Sequence, residues 1–341
     1  MKRVVNLKLK FFFSLLLLCC SDIFANNLLE SKSLLKEEQV REFFNVLTNV
    51  CESKNFLSNV ENHKSYPEYG LVKDWKQVCQ KLKKLNKEDN FIEFLIKNFR
   101  VKQTNKTIGL LTGYYEPTIN VSHNNDQIFR FPILKKNKYY LGKSRQYIKN
   151  NFELKDVLLW TDDIVDLFFL HIQGSGIGKF NDGTTIKIAY DGNNNLPYSS
   201  IGKHLINKGY LKPEETNLFS IKDWLRRNKK LSIGVMNSNK RYIFFKSFKS
   251  KNHHPVGAFG IQLSPETSIA VDKKIYPLGL PFIILSEAEK MYLPVVSLDT
   301  GSAIIGPNRA DIFTGREDKA EEKAGKLKKK IYLLALIPYS N

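Results

Sequence analysis

After Val101 the chain changes texture, and that change constrains its fold more than any other feature. Between residues 28 and 100 apolar side chains recur mostly at three- and four-residue steps, as in Leu34, Leu35, Val40, Phe43, Phe44 and Leu47, and again over 75–85 and 91–99. This spacing predicts amphipathic helices. Beyond Val101, short β-branched and aromatic runs are broken by Gly, Asn, Asp and Pro, at 107–115, 167–173, 185–190, 242–246 and 282–285. Such runs predict strands of a barrel or sandwich and argue against a parallel α/β sheet. One helical interlude, about 212–228, interrupts them.

With 341 residues and 42% apolar content the chain is long enough for two domains with sizeable cores. Neither repeats nor low-complexity linkers divide it. Residues 1–25 stand apart: Lys2, Arg3, Lys8 and Lys10 precede an apolar run, 11–20, broken only by Ser14, and the segment closes on Ile23, Phe24 and Ala25. The run is too short to span a bilayer and has the layout of a secretory signal, so export is expected. Leu18 precedes Cys19, and Cys19 precedes Cys20, where a lipoprotein signal wants a small residue before its lipid-bearing cysteine. A lipid anchor is therefore poorly supported.

Outside the signal only Cys51 and Cys79 remain. In an oxidising compartment they are expected to pair, stapling the first two helices, and a loop of that size contributes roughly 3 kcal/mol. The cysteine count is too low for a zinc site, and His253 and His254 have no ligand partners at metal spacing, so no metal is expected. The net charge of +19 points to long-range attraction toward anionic polymers or membrane surfaces. Nucleic acid is not expected as a partner, because an exported protein meets little of it.

Four segments carry candidate chemistry. GYYEP, 113–117, places Tyr114 and Tyr115 on opposite faces of a strand, so at most one faces a cleft, and Glu116 stands before a proline that must end or bend it. WTDDIVDLFFLHIQGSGIG, 160–178, opens on turn or cap residues Asp162 and Asp163. It closes on Gln173, Gly174 and Ser175, a polar loop able to meet a hydroxylated ligand or simply to turn a hairpin. The loop lacks both the spacing of a dinucleotide fingerprint and that of a serine-hydrolase elbow. YDGNNNLPYSSIG, 190–202, offers Tyr190, Tyr198 and Ser199, side chains that hydrogen-bond sugars but also suit any exposed loop. VDKKIYPLGLPF, 271–282, reads as strand, turn and strand, with Asp272 bracing the turn.

DTGSAIIGPNRADIF, 299–313, holds two aspartates, Asp299 and Asp311. Asp-Thr-Gly is an aspartic-protease signature, but a single-chain protease needs a second copy, and none exists here. Glycosidic cleavage instead needs one carboxyl that stays protonated near neutral pH. Asp311, followed by Ile312 and Phe313, would sit against apolar neighbours that favour its neutral form.

Together, LTGYYEP, WTDDIVDLFFLHIQGSG, YDGNNNLPYSSIG, NKRYIFFK, GAFGIQLSPETSIAVD, PLGLPF and DTGSAIIGPNRADIF resemble, in order, the membrane-bound lytic transglycosylase A (MltA) family of peptidoglycan-cleaving enzymes, with a C-terminal three-aspartate (3D) domain. The resemblance implies a mainly β fold with N-terminal helices: a double-psi β-barrel, an inserted second β-barrel-like domain, and a groove between them for a glycan strand. The implied division is 1–25 signal, 26–103 with 246–341 as helices and barrel, and 104–245 as the insert. It makes Asp311 the single catalytic acid and then base, with Asp299 and Asp272 supporting. Tyr114, Tyr115, Glu116, Gln173, Gly174, Ser175, Tyr190, Tyr198 and Ser199 are the substrate-binding candidates. The implied reaction breaks the β-1,4 bond between N-acetylmuramic acid and N-acetylglucosamine without water, leaving a 1,6-anhydromuramyl end and needing no cofactor. Rival readings are a two-carboxylate muramidase using Asp299 and Asp311, and a non-catalytic peptidoglycan-binding module. The implied partners are peptidoglycan glycan strands, with cell-wall synthesis machinery as a further partner, for a monomer in the periplasm associated with the outer membrane. Ser302 and Ile305 depart from the family's usual glycine and lysine, and Thr314 stands where an aromatic is common.

Overall fold

The computed structural model describes residues 36–85, 91–103, 105–249 and 254–340. The signal segment 1–25, with Cys19 and Cys20, and also Leu34, Leu35 and His253, lie outside the described residues. Among the described residues four helices come first, Glu37–Glu52, Phe56–Glu61, Val72–Lys83 and Phe91–Asn98; the apolar runs predict the first, third and fourth, and the short Phe56–Glu61 falls between them. The strands follow as β1 (Phe99–Gln103), β2 (Gly109–Glu116), β3 (Thr118–Ser122), β4 (Phe131–Leu134) and β5 (Val157–Thr161). Next come β6 (Gly176–Lys179), β7 (Thr185–Asn193), β8 (Ile243–Phe248) and β9 (Ser268–Ala270). The last are β10 (Pro281–Ser286), β11 (Met291–Asp299), β12 (Arg309–Arg316) and β13 (Lys328–Pro338).

The chain divides into two units. One comprises residues up to Thr112, Val256–Phe313 and the segment from Lys328 onward; the other comprises Gly113–Pro255 and Thr314–Leu327. In the first, the sheet runs β1-β13-β10-β11-β9-β12-β2 and closes on itself because β13 also pairs with β2. This closed barrel is the double-psi barrel expected of the C-terminal region. Closure removes the free edges that an open sheet must protect. The long β13 serves three neighbours: Lys328–Ile331 pair with β2, Tyr332–Ala335 with β10 and Leu334–Pro338 with β1. Gly109 is required where β2 begins, since a Cβ there would lie 1.8 Å from the Asn308 carbonyl oxygen.

The helical layer of this unit is held by aromatic rings, most of them fully buried. Phe56 meets Trp75 edge-on at 5.0 Å, Trp75 meets Phe99 at 5.8 Å, and Phe91 lies against Phe43 and Phe44. Trp75 Nε1 donates to the Tyr69 carbonyl at 2.9 Å, so its one polar atom is satisfied in the core. The expected disulfide joins Cys51 to Cys79 and ties the helix Glu37–Glu52 to the helix Val72–Lys83.

The second unit is built on a sheet of order β4-β5-β3-β6-β7-β8, with β3 and β6 parallel and every other pairing antiparallel. β8 returns to pack against β4 and β5, giving a barrel-like curl. Ile119, Val121, Ile133, Leu159, Ile186, Ile188 and Phe245 fill its interior. Five helices accompany the sheet, Arg145–Asn151, Ile164–Gln173, Ile201–Asn207, Leu218–Arg227 and Lys229–Ser238, and a sixth, Glu317–Lys326, joins from the C-terminal part of the chain.

One strand expectation fails here. Residues 167–173 lie in the helix Ile164–Gln173. Asp163 caps it by accepting from the amides of Val165 and Asp166, and Gly174 ends it in the left-handed region at φ 82°. The run looked like a strand because the helix is buried around most of its circumference, which erases the polar face that marks an amphipathic helix. The interlude expected over 212–228 is helical only from Leu218 to Arg227.

Candidate active site

β12 alternates its side chains so that Arg309, Asp311 and Phe313 share one face, while Ala310 and Ile312 are buried on the other. Asp311 pairs with Ala270 of β9, and on the opposite side Ala270 pairs with Asp299 of β11. The two aspartates therefore flank one alanine across three strands, with about 10 Å between their Cα atoms from ordinary strand spacing. Leu298 is an extra residue in β11 beside this pairing, and the register shift re-aims the strand at Asp299.

Asp311 is half-buried. The Thr112 hydroxyl donates to its Oδ1, and Arg309 Nη2 donates to Thr112 Oγ1 at 2.7 Å. Burial pushes the Asp311 carboxyl up to about 6; the Arg309 charge and the Thr112 hydrogen bond pull it down, and the Asp299 charge pushes it up. The result is a carboxyl that is partly protonated at neutral pH while held by a fixed donor.

Asp299 faces different groups. Its Oδ1 accepts from the backbone amides of Ala258 at 3.0 Å and Thr300 at 2.8 Å, so it organises two loops. Asp272 is buried and accepts from the amides of Lys274 at 3.0 Å and Gly306 at 2.9 Å, bracing the predicted turn and tying it to the segment between Asp299 and Asp311. Ile305, in that segment, is exposed.

In the other unit, Tyr115 packs against Ala320, Ala324 and Leu218, while Tyr114 is only half-buried, matching the opposite-face reading of the tyrosine pair. Glu116, expected among the substrate-binding residues, is buried. Its Oε1 accepts from Lys187 and, at 3.1 Å, from the Ser175 hydroxyl, and its Oε2 lies 2.8 Å from Arg316 Nε. Gln173 Oε1 accepts from the Tyr115 amide at 3.2 Å. Glu116, Gln173 and Ser175 thus brace the strand and the QGSG loop against each other. Tyr190 is exposed, with its hydroxyl accepting from Asn193; Tyr198 is half-buried and Ser199 exposed. Thr314 is buried, with its hydroxyl 2.8 Å from the Ala320 carbonyl and 3.0 Å from the Tyr114 carbonyl, so its one hydrogen is shared between strand and helix. Among the described residues no group of three or more His, Cys, Asp or Glu is placed to hold a metal ion.

Residues 134–246 match the MltA specific insert domain, and residues 267–337 match the 3D domain. The chain thus carries regions similar to the MltA insert and to the 3D domain. Over 240 residues it is 32% identical to the membrane-bound lytic murein transglycosylase A of Vibrio cholerae, a match covering 64% of this chain and 62% of that relative. The chain thus spans less than two thirds of that relative's length. The crystal structure of a membrane-bound lytic murein transglycosylase from Agrobacterium tumefaciens aligns with a TM-score of 0.74 at 26% identity, covering 87% of this chain and 92% of that one. The crystal structure of E. coli MltA with bound chitohexaose aligns with a TM-score of 0.69 at 25% identity, covering 89% and 90%. The MltA insert match falls wholly within Gly113–Pro255, and the 3D match contains Asp272, Asp299 and Asp311.

The sequence reading missed Thr112, Arg309 and Ala270. Arg309 was available to it, since strand alternation places a residue two positions from Asp311 on the same face. Thr112 and Ala270 reach the site only through pairing over long separations in sequence, which no local pattern announces.

Proposed function

We propose that this chain is a lytic transglycosylase of the bacterial envelope. It cleaves the β-1,4 bond between N-acetylmuramic acid and N-acetylglucosamine in peptidoglycan and leaves a 1,6-anhydromuramyl end. Its matches to the MltA insert and 3D domain and the names of its relatives support the reaction class, and the chitohexaose held by the E. coli neighbour supports a glycan as substrate. The observation that carries the reading is Asp311, a single carboxyl pushed up to about 6 and pinned through one oxygen by Thr112.

In this reading Thr112 occupies Oδ1, and Asp311 presents its proton on the other oxygen to the departing glycosidic oxygen. The resulting carboxylate then takes the proton of the muramyl C6 hydroxyl, which attacks the anomeric carbon. An intramolecular nucleophile removes the need for a second carboxylate acting on water. Asp299 fits a supporting task, because its Oδ1 is already committed to two backbone amides. Tyr114, Tyr190, Tyr198 and Ser199 keep exposed surface suited to sugar contacts, whereas Glu116, Gln173 and Ser175 brace the QGSG loop of the inserted unit.

The basic, apolar start of the sequence supports export, and the membrane-bound relatives support residence at the envelope. No helix among the described residues is long and apolar enough to cross a membrane. The deciding experiment incubates purified protein with peptidoglycan sacculi and reads the products by mass spectrometry. Anhydromuropeptides are expected, and Asp311→Asn is expected to abolish them while leaving the far-UV circular dichroism unchanged. Reducing-end muropeptides would replace this reading with a hydrolase; retention on sacculi without soluble product would reduce it to a binding module.

A further inference from the structure

A cavity of about 50 Å³ lies within the inserted unit, between the helices Arg145–Asn151, Ile164–Gln173 and Lys229–Ser238 and the strand β4. Phe168, Ile233 and Met236 form much of its apolar wall, and Arg145, Lys149, His171, Asn237 and Tyr242 are its polar residues, with no carboxylate among the described residues of the lining. Arg145 is buried yet meets no acid among the described residues: Nε donates to the Asn239 carbonyl at 3.1 Å, Nη2 to the Arg241 carbonyl, and Nη1 lies 2.7 Å from His171 Nδ1. Its guanidinium sits 4.8 Å from the Phe168 ring centre and 5.2 Å from that of Tyr242, contacts that steady a cation without neutralising it.

A guanidinium can only donate, so His171 Nδ1 accepts and the ring hydrogen resides on Nε2. That Nε2 is buried without a hydrogen-bond partner. Burial, and then the Arg145 charge, hold His171 well below its ordinary value, so the ring is a neutral donor. Burial also pulls Lys149 down from its ordinary value and Arg145 to about 10, which leaves the Arg145 guanidinium cationic at neutral pH. A buried cation without a counter-charge is costly, and a buried ring donor left without an acceptor, as at His171 Nε2, is unusual.

We propose that this cavity binds the carboxylate of a small molecule carrying a short apolar body. The carboxylate pairs with Arg145 and Lys149 and accepts from His171 Nε2, and the body lies against Phe168, Ile233 and Met236. One water needs about 10–15 Å³ of such space, so the cavity takes roughly three to five water-sized groups, the scale of propionate. Such a group comes from a free short-chain acid or from the C-terminal alanine of a peptide.

The test uses the full chain at pH 7 with propionate and N-acetyl-D-alanine as probes, and propionamide and propylammonium as uncharged and cationic controls. Propionate or N-acetyl-D-alanine is expected to raise the unfolding temperature saturably and to shift the His171 ring 15N signals, with neither control doing so. Tighter response to N-acetyl-D-alanine assigns a peptide terminus; tighter response to propionate assigns a free acid. Lys149→Gln is expected to weaken binding about five- to tenfold, the weight of one charge-assisted contact, and Ile233→Phe to abolish it by filling the cavity. No saturable response, an equal response to propionamide, or responses unchanged in both variants would overturn the proposal and leave Arg145 with only its structural bonds to residues 239 and 241.

Discussion

Removing the charge of Asp299 and removing the hydroxyl of Thr112 should move Asp311 in opposite directions. Asp299 pushes the Asp311 carboxyl up and Thr112 pulls it down. Asp299→Asn should therefore shift the falling alkaline limb of kcat/KM, expected near pH 6, to lower pH, and Thr112→Val should shift it higher; a pH–rate series on soluble glycan strands measures both. The same group affects stability. Because its folded-state value lies above that of an ordinary aspartate, ionising Asp311 opposes folding. The penalty is absent below about pH 4 and fully developed above about pH 6, where it amounts to about 3 kcal/mol. Asp311→Asn should stabilise the protein by up to that amount at pH 8 and by little at pH 4, read from urea unfolding at the two values. Asp311 and its apolar followers, Ile312 and Phe313, were legible in the sequence. Thr112 and Ala270 were not, since barrel closure and not chain proximity brings them to the aspartate.

At the scale of elements, the disulfide and the capped helix make separate predictions. Cys51 and Cys79, 28 residues apart, tie together two helices whose inner faces bury Phe43, Leu47 and Trp75. Replacing both by serine should cost about 3 kcal/mol in chemical denaturation, with activity retained under conditions where the protein stays folded. Asp163 caps the helix Ile164–Gln173 and also pairs with Arg226 at 3.1 Å. Asp163→Ala should cost about 1–2 kcal/mol, again read from denaturation. The punctuation of this helix was visible in the sequence as Asp162, Asp163 and Gly174, but its interior was not. IVDLFFLHIQ packs against the sheet on one side and against neighbouring helices on the other, so periodicity had no exposed face to report. The N-terminal helices, exposed on one side, kept their pattern and were read within a few residues of their ends.

Across the whole molecule the charge of +19 acts at a distance. Peptidoglycan carries free carboxyl groups on its peptides, so binding to sacculi should weaken several-fold as ionic strength rises from about 0.01 M to about 0.15 M, where screening shortens from roughly 30 Å to 8 Å. A pull-down on sacculi across that salt range measures it; salt-independent retention would assign the attraction to short-range contacts alone. The pairing of β13 sets a schedule as well. Ribosomes deliver β2 more than two hundred residues before β13, the strand that β1, β2 and β10 all need as a neighbour. Until residues 328–338 emerge, the barrel that carries Asp311 is an unsealed sheet with open edges, so the proton-bearing aspartate is assembled late, and newly made chains pass through a stage in which they depend on protection from pairing with one another.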